Sequence, residues 1–143
     1  MVVKAFDNIC IRIHIKMTWK VVFHEEFDAE FDGLAEAVQD ELLAHARLLE
    51  VFGPKLGRPH ADTLNGSAHA NMKELRFAGG GGVWRVAFAF DPKRKAILLV
   101  CGDKSGGNEK RFYRQLIRKA DERFNDHLQR LKKEPLKQKR KRR

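Results

Sequence analysis

The chain has 143 residues, 43% of them hydrophobic and 34% charged, and a formal net charge of +10. That length suits one soluble domain around a single modest core, and no apolar run reaches the roughly 20 residues a membrane helix needs. The opening "MVVKAFDNICIRIHIK" carries charges within its apolar part and lacks a small-residue cleavage site, so it does not read as a signal peptide; Cys10 and Cys101 read as reduced thiols of a cytoplasmic protein.

Ile9, Ile11, Ile13, Ile15, Met17, Trp19, Val21 and Phe23 occupy every odd position from 9 to 23. Period two means strand, firmest over 18–23. Residues 1–16, which carry a net +2, read as an extension before a domain over 17–131. In "HEEFDAEFDGLAEAVQDELLAHARLLEVFGP", Phe27 and Phe31 are four apart, and Leu34, Val38, Leu42, Ala46 and Leu49 recur every three or four residues. This predicts a helical hairpin broken at Gly33 and ending at Gly53-Pro54. A Pro/Gly/Asn-rich connector, "GPKLGRPHADTLNGSAHA", fills 53–70.

Three strands follow, near 71–78, 83–90 and 96–103, with "GGGG" at 79–82 and "DPKRK" at 91–95 as their turns. A last helix is expected over 109–133, with Phe112, Leu116, Ala120, Phe124, Leu128 and Leu131 as its stripe, then a disordered basic tail over 132–143. The order β-α-α-β-β-β-α predicts an α+β fold. It combines a helical hairpin with an antiparallel meander, the helices packing on one face of the sheet. Net charge is −6 over residues 17–70, +7 over 71–131 and +7 over 132–143. A clustered positive half points to a polyanion, nucleic acid being the commonest.

If the 79–82 turn closes symmetrically, Arg76 stands directly opposite Arg85. Like charges face to face across a sheet cost stability. Alternation places Glu74, Arg76, Val83, Arg85, Ala87 and Ala89 on one face, which reads as open and basic. Two explanations fit. Glu74 neutralises the pair diagonally, or the two guanidinium groups grip a phosphate bidentately. The histidines do not pair at metal-ligand spacing, two cysteines make no zinc site, and no metal or cofactor is expected.

The segments "KELR", "WRVAFAFD" and "GDK", in this order and spacing, resemble the RelE/ParE/HigB family of type II toxin–antitoxin toxins, particularly its phage-derived HigB-like branch, over about residues 18–131. The resemblance implies a RelE or microbial-RNase-like fold and a cognate antitoxin partner. It further implies a cytoplasmic, metal-independent endoribonuclease that cuts mRNA, commonly on the ribosome, and so inhibits translation. The family also includes inhibitors of DNA gyrase that cleave nothing, and a degenerate nucleic-acid-binding relative is a third possibility.

Carried over by motif, Arg85 matches the phosphate-binding arginine and Arg76 the "ELR" arginine. Lys104 takes the place of a second cation, and Tyr113 that of a helix tyrosine used in catalysis or stacking. Glu74 stands where ribosome-dependent members often have lysine, which leaves the assignment of acid and base open. His69, just upstream, is the expected substitute, with His60 behind it. Lys73, Lys110, Arg111, Lys139 and Arg140 are expected to hold RNA.

Overall fold

The computed structural model describes residues 19–141, with side chains described through residue 133. The expected N-terminal extension, the alternation before Trp19, Cys10, and the side chains of Lys139 and Arg140 lie outside the described residues. Three helices and a five-stranded mixed sheet make up the described part, an α+β fold. Strand β1 is Lys20–Phe23, β2 Ala61–Thr63, β3 Lys73–Gly79, β4 Gly82–Phe90 and β5 Lys95–Asp103; helix α1 is Glu25–Phe31, α2 Glu36–Phe52 and α3 Glu109–Lys141. The sheet order is β1-β5-β4-β3-β2. No described helix is long and apolar enough to cross a membrane.

The expected meander is present as β3, β4 and β5, antiparallel throughout. Its first turn follows from the glycine run. Gly79 pairs with Gly82, and Gly80 and Gly81 take φ of 55° and 82° between them. Two successive positive φ values make the tight turn whose twist matches a hairpin. The second turn is organised by Asp91. Its Oδ1 accepts from the backbone N–H groups of Lys93 and Lys95, at 2.8 and 3.0 Å. β1 joins the far edge parallel to β5, Lys20 beside Lys95 through Phe23 beside Leu98. β2 was not foreseen. It is three residues inside the connector, too short for a period, and pairs antiparallel with β3 from Ala61–Leu75 to Thr63–Lys73.

The helical hairpin forms where its stripe predicted. The Nδ1 of His24 accepts from Glu26 N–H at the start of α1, and α2 buries Val38, Leu42, Ala46 and Leu49. These meet Leu75, Phe77, Val86, Phe88 and Leu98 in one core layer. Gly53 ends α2 at φ 55°, and the Trp19 indole lies where a Cβ would stand, 2.2 Å away. Backbone geometry and packing both require glycine there.

One expectation is corrected. The helices do not share a face: α3 lies on the opposite side of the sheet from α1 and α2. Its Leu116, Ala120 and Phe124 bury against Ala87, Ala89, Ile97 and Leu99. Ala87 and Ala89 are therefore fully buried rather than open, their small side chains giving the helix room to approach. Burying a Leu or Phe of this kind contributes about 1.5–3 kcal/mol. Cys101 is half-buried, and burial pushes its thiol up to about 12. Helix α3 also runs on to Lys141, past the expected boundary at 132. The Lys, Arg, Gln and Leu of this segment are good helix formers.

α3 is tied to α1 across the sheet edge. Arg123 forks onto Glu30 at 2.9 and 2.6 Å and donates to the Leu99 carbonyl at 2.7 Å. His24 Nε2 lies 3.1 Å from Asp126, and Arg130 donates to Glu25 at 3.0 Å. His127 holds the second oxygen of Asp91 at 2.8 Å. These contacts fix the helix that forms one wall of the cleft described next.

Candidate functional site

Arg76 stands opposite Arg85 in the β3–β4 register. Glu74, one alternation before Arg76 on the same face, lies between the charges. Arg76 Nη1 donates to its Oε2 at 2.7 Å, and Arg85 Nε is 4.0 Å from its Oε1. The diagonal neutralisation read from the sequence is present. Both groups are nonetheless deep, Glu74 being 4% and Arg85 6% exposed. Arg85 is covered by α3. Its Nε donates to the Tyr113 hydroxyl at 3.2 Å and its Nη1 to the Trp84 carbonyl at 2.9 Å.

A cleft of about 600 Å³ opens beside this cluster. Glu74 and Arg76 of β3 line its floor. One wall comes from Arg58, β2 and the residues after it. The other is Lys104 with Lys110, Tyr113, Arg114 and Ile117 of α3. Those four α3 residues are spaced to share one helix face. Lys104 Nζ is 3.2 Å from Glu109 and 6.0 Å from the centre of the Tyr113 ring. Burial raises the Tyr113 phenol above its ordinary value; the hydrogen bond from Arg85 opposes this, and the Glu74 charge adds to it. The phenol therefore keeps its proton through the physiological range.

Of the residues singled out from the sequence, Arg76, Lys104, Tyr113 and Lys110 meet in this cleft. Arg85 does not line it and lies beneath, bonded to the Tyr113 hydroxyl. His69 is not among its lining residues either: its Nε2 is 2.8 Å from Asn125 Oδ1, and its ring sits edge-on to Phe124. His60 turns toward the helical hairpin, where its Nδ1 is 3.3 Å from His45 Nε2. Lys73 shares the face of Leu75 and Phe77, away from the cleft, and Arg111 is exposed on α3 outside the lining. Arg58, Asn65 and Arg114 line the cleft and were missed. Arg114 was legible, four residues after Lys110 on a helix; Arg58 and Asn65 lay in a connector without a pattern.

Residues 29–125, which contain every lining residue of the cleft, match the model of the phage-derived Gp49-like protein family (DUF891). The chain belongs to this family, in its HigB-like part. It is 43% identical over 105 residues, 73% of its length, to the Mycobacterium tuberculosis protein named "Putative toxin HigB2". It is 54% identical over 81 residues, 57% of its length, to that organism's "Putative toxin HigB3". The match spans 52% of the first relative and 68% of the second.

Proposed function

We propose that this protein is the toxin of a type II toxin–antitoxin pair, built on a RelE-like fold, and that it inhibits translation by cutting mRNA, with the ribosome presenting the substrate. The observation that carries this reading is the cleft itself. Arg76 of β3, Lys104 just after β5 and Tyr113 of α3 converge on one space beside a carboxylate. The names of its relatives as toxins support the same class.

The chemistry needs no more than these groups. Arg76 and Lys104 hold the scissile phosphate and the charge that builds on it. The ribose 2′-oxygen attacks phosphorus, and its proton passes to Glu74, the carboxylate on the cleft floor, in the place sequence reasoning gave to His69. The bond from phosphorus to the 5′-oxygen breaks, and that oxygen takes the proton of Tyr113. The products are a 2′,3′-cyclic phosphate and a 5′-hydroxyl. Arg85 is a positioning residue that orients the Tyr113 hydroxyl and stabilises the phenolate left behind.

A toxin of this kind requires a cognate antitoxin, and an acidic segment suits a basic cleft. The test is induced expression, with primer extension on transcripts and a DNA supercoiling assay in parallel. New mRNA ends at codon spacing, absent with Arg76→Ala, are the expected result. Unsupercoiled or cleaved DNA with intact transcripts would replace this reading with gyrase inhibition.

A further inference from the structure

The wall of the cleft after β2 is held with unusual care for a surface loop. Leu64 N–H donates to the Met72 carbonyl at 3.0 Å and closes the neck of the loop. Asp121 of α3 clamps it from the side. One carboxylate oxygen accepts from the Ser67 hydroxyl, the other from Ala68 N–H at 3.0 Å. Ser67 Oγ in turn accepts from His69 N–H at 2.9 Å, and His69 is held by Asn125 and Phe124. Gly66 sits close enough to Ile117 that an added Cβ would touch the Ile117 methyl at 3.4 Å. The loop tip therefore has a fixed position against α3.

What the clamp fixes is chemically distinct from the rest of the cleft. Lys104, Lys110 and Arg76 supply charge for phosphate. At the Ile117 end, the fixed tip brings Leu64 and Asn65 into the lining. Ile117, half-buried, offers apolar area to the flat of a base, and Leu64, 4% exposed, packs in the core beneath the loop. Asn65 contributes an amide, with donors and an acceptor side by side, the pattern that complements a base edge. Phosphate contacts position a nucleic acid, whereas contacts to base edges specify it. Specificity needs such a group held rigidly, since a mobile amide adapts to any partner.

We propose that Asn65 is a specificity-determining residue, reading the edge of an unpaired RNA base seated against Ile117, and that Asp121, Ser67 and His69 are positioning residues that hold the loop there. The inference rests on the RNA-cleaving reading and deepens it.

The test uses the full chain and a set of short single-stranded oligoribonucleotides, identical except at one position. Each carries a 2′-O-methyl group at the scissile ribose to prevent cleavage, and binding is measured by fluorescence anisotropy. The wild type is expected to rank the four bases. Asn65→Ala narrows the spread between best and worst by about tenfold, through loss of the best. Asn65→Asp, which exchanges donors for an acceptor, reorders the bases. Asp121→Asn and His69→Ala narrow the spread while Arg76→Ala lowers all four affinities together. Base ratios in Asn65→Ala and Asn65→Asp that match the wild type, with Arg76→Ala still weakening every oligonucleotide, overturn this proposal alone. Failure of the wild type to bind any of them, either free or seated in the decoding site of programmed ribosomes, overturns the RNA reading and this inference with it.

Discussion

The Glu74 carboxylate lies 2.7 Å from Arg76 and belongs to the same strand, so one short segment of β3 supplies both a charge and its neutraliser. Arg85, directly across the sheet, shares that carboxylate at 4.0 Å. Removing the carboxylate leaves one guanidinium buried and the other facing it. Glu74→Ala is expected to destabilise the protein by about 3–5 kcal/mol, the scale for stranding a buried charge. Urea unfolding measures it. Arg85→Ala in the same background should recover part of the loss, because the two residues act on one interaction.

Arg76 and Lys104 are partly exposed and line the cleft, so the removal of either is expected to touch activity. Arg76→Ala and Lys104→Ala each lower the rate of RNA cleavage about 100-fold, the usual scale for losing one preorganised charge donor. The melting temperature of Lys104→Ala stays close to the wild type, whereas that of Arg76→Ala falls, because the buried Glu74 carboxylate loses its hydrogen-bond donor. Arg85→Ala loses both, since its buried side chain orients Tyr113 and joins β4 to α3. Cleavage assays and thermal melts on the three variants separate these outcomes.

The clasp between α1 and α3 sets a dependence on acid. The hydrogen bond from Arg123 holds the Glu30 carboxyl below its ordinary value of 4.5, against the opposing effect of burial. A carboxylate lowered by folding stabilises the native state above its unfolded pKa, and this is lost as pH falls through the folded value. Stability is therefore expected to fall below pH 4.5. Glu30 has a 42% exposed side chain, so solvent screens the gain. Arg123→Met removes the Glu30 part of this acid limb. It also strands the Leu99 carbonyl, at a cost of about 1–3 kcal/mol at neutral pH. Melting curves at a series of pH values show both effects.

Asp91 has a fully buried side chain that accepts from Lys93, Lys95 and His127. It fixes the β4–β5 turn to α3. Asp91→Ala is expected to cost about 2–3 kcal/mol, as it leaves buried donors without a partner. Hydrogen exchange should locate the loss at the 91–95 turn and along α3 near His127. A loss confined to the turn would show that the helix does not depend on it.

Much of this architecture is legible in the sequence for identifiable reasons. The stripe from Val38 to Leu49 repeats at helical spacing, and the glycine run admits one tight turn, which sets Arg76 against Arg85. The second face of the sheet was misread because Ala87 and Ala89 are small, and small residues look open until a helix is found above them. The unbroken apolar run Ala96–Val100 carried the missing signal, since a strand apolar on successive residues is covered on both sides. Cleft residues on regular elements, such as Arg76 and Tyr113, could be found from motif and alternation. Asn65 and Arg58 could not, because they flank β2, a strand of three residues whose place is set only by its pairing with β3. His69 suggests chemistry by its place just upstream of β3 and by the imidazole's suitability for proton transfer, whereas its packing on Phe124 and Asn125 gives it a structural task.

The cleft takes its floor from β3, its first wall from the connector and its second wall from α3, the last element along the chain. During synthesis the floor and first wall emerge well before the second. Until α3 has left the ribosome and docked through Arg123 and Asp121, Tyr113 has no Arg85 beneath it and the loop tip has nothing to rest against. A nascent or truncated chain thus holds the arginines but no binding space. Vectorial synthesis thus postpones the closing of the cleft until α3 has emerged and docked.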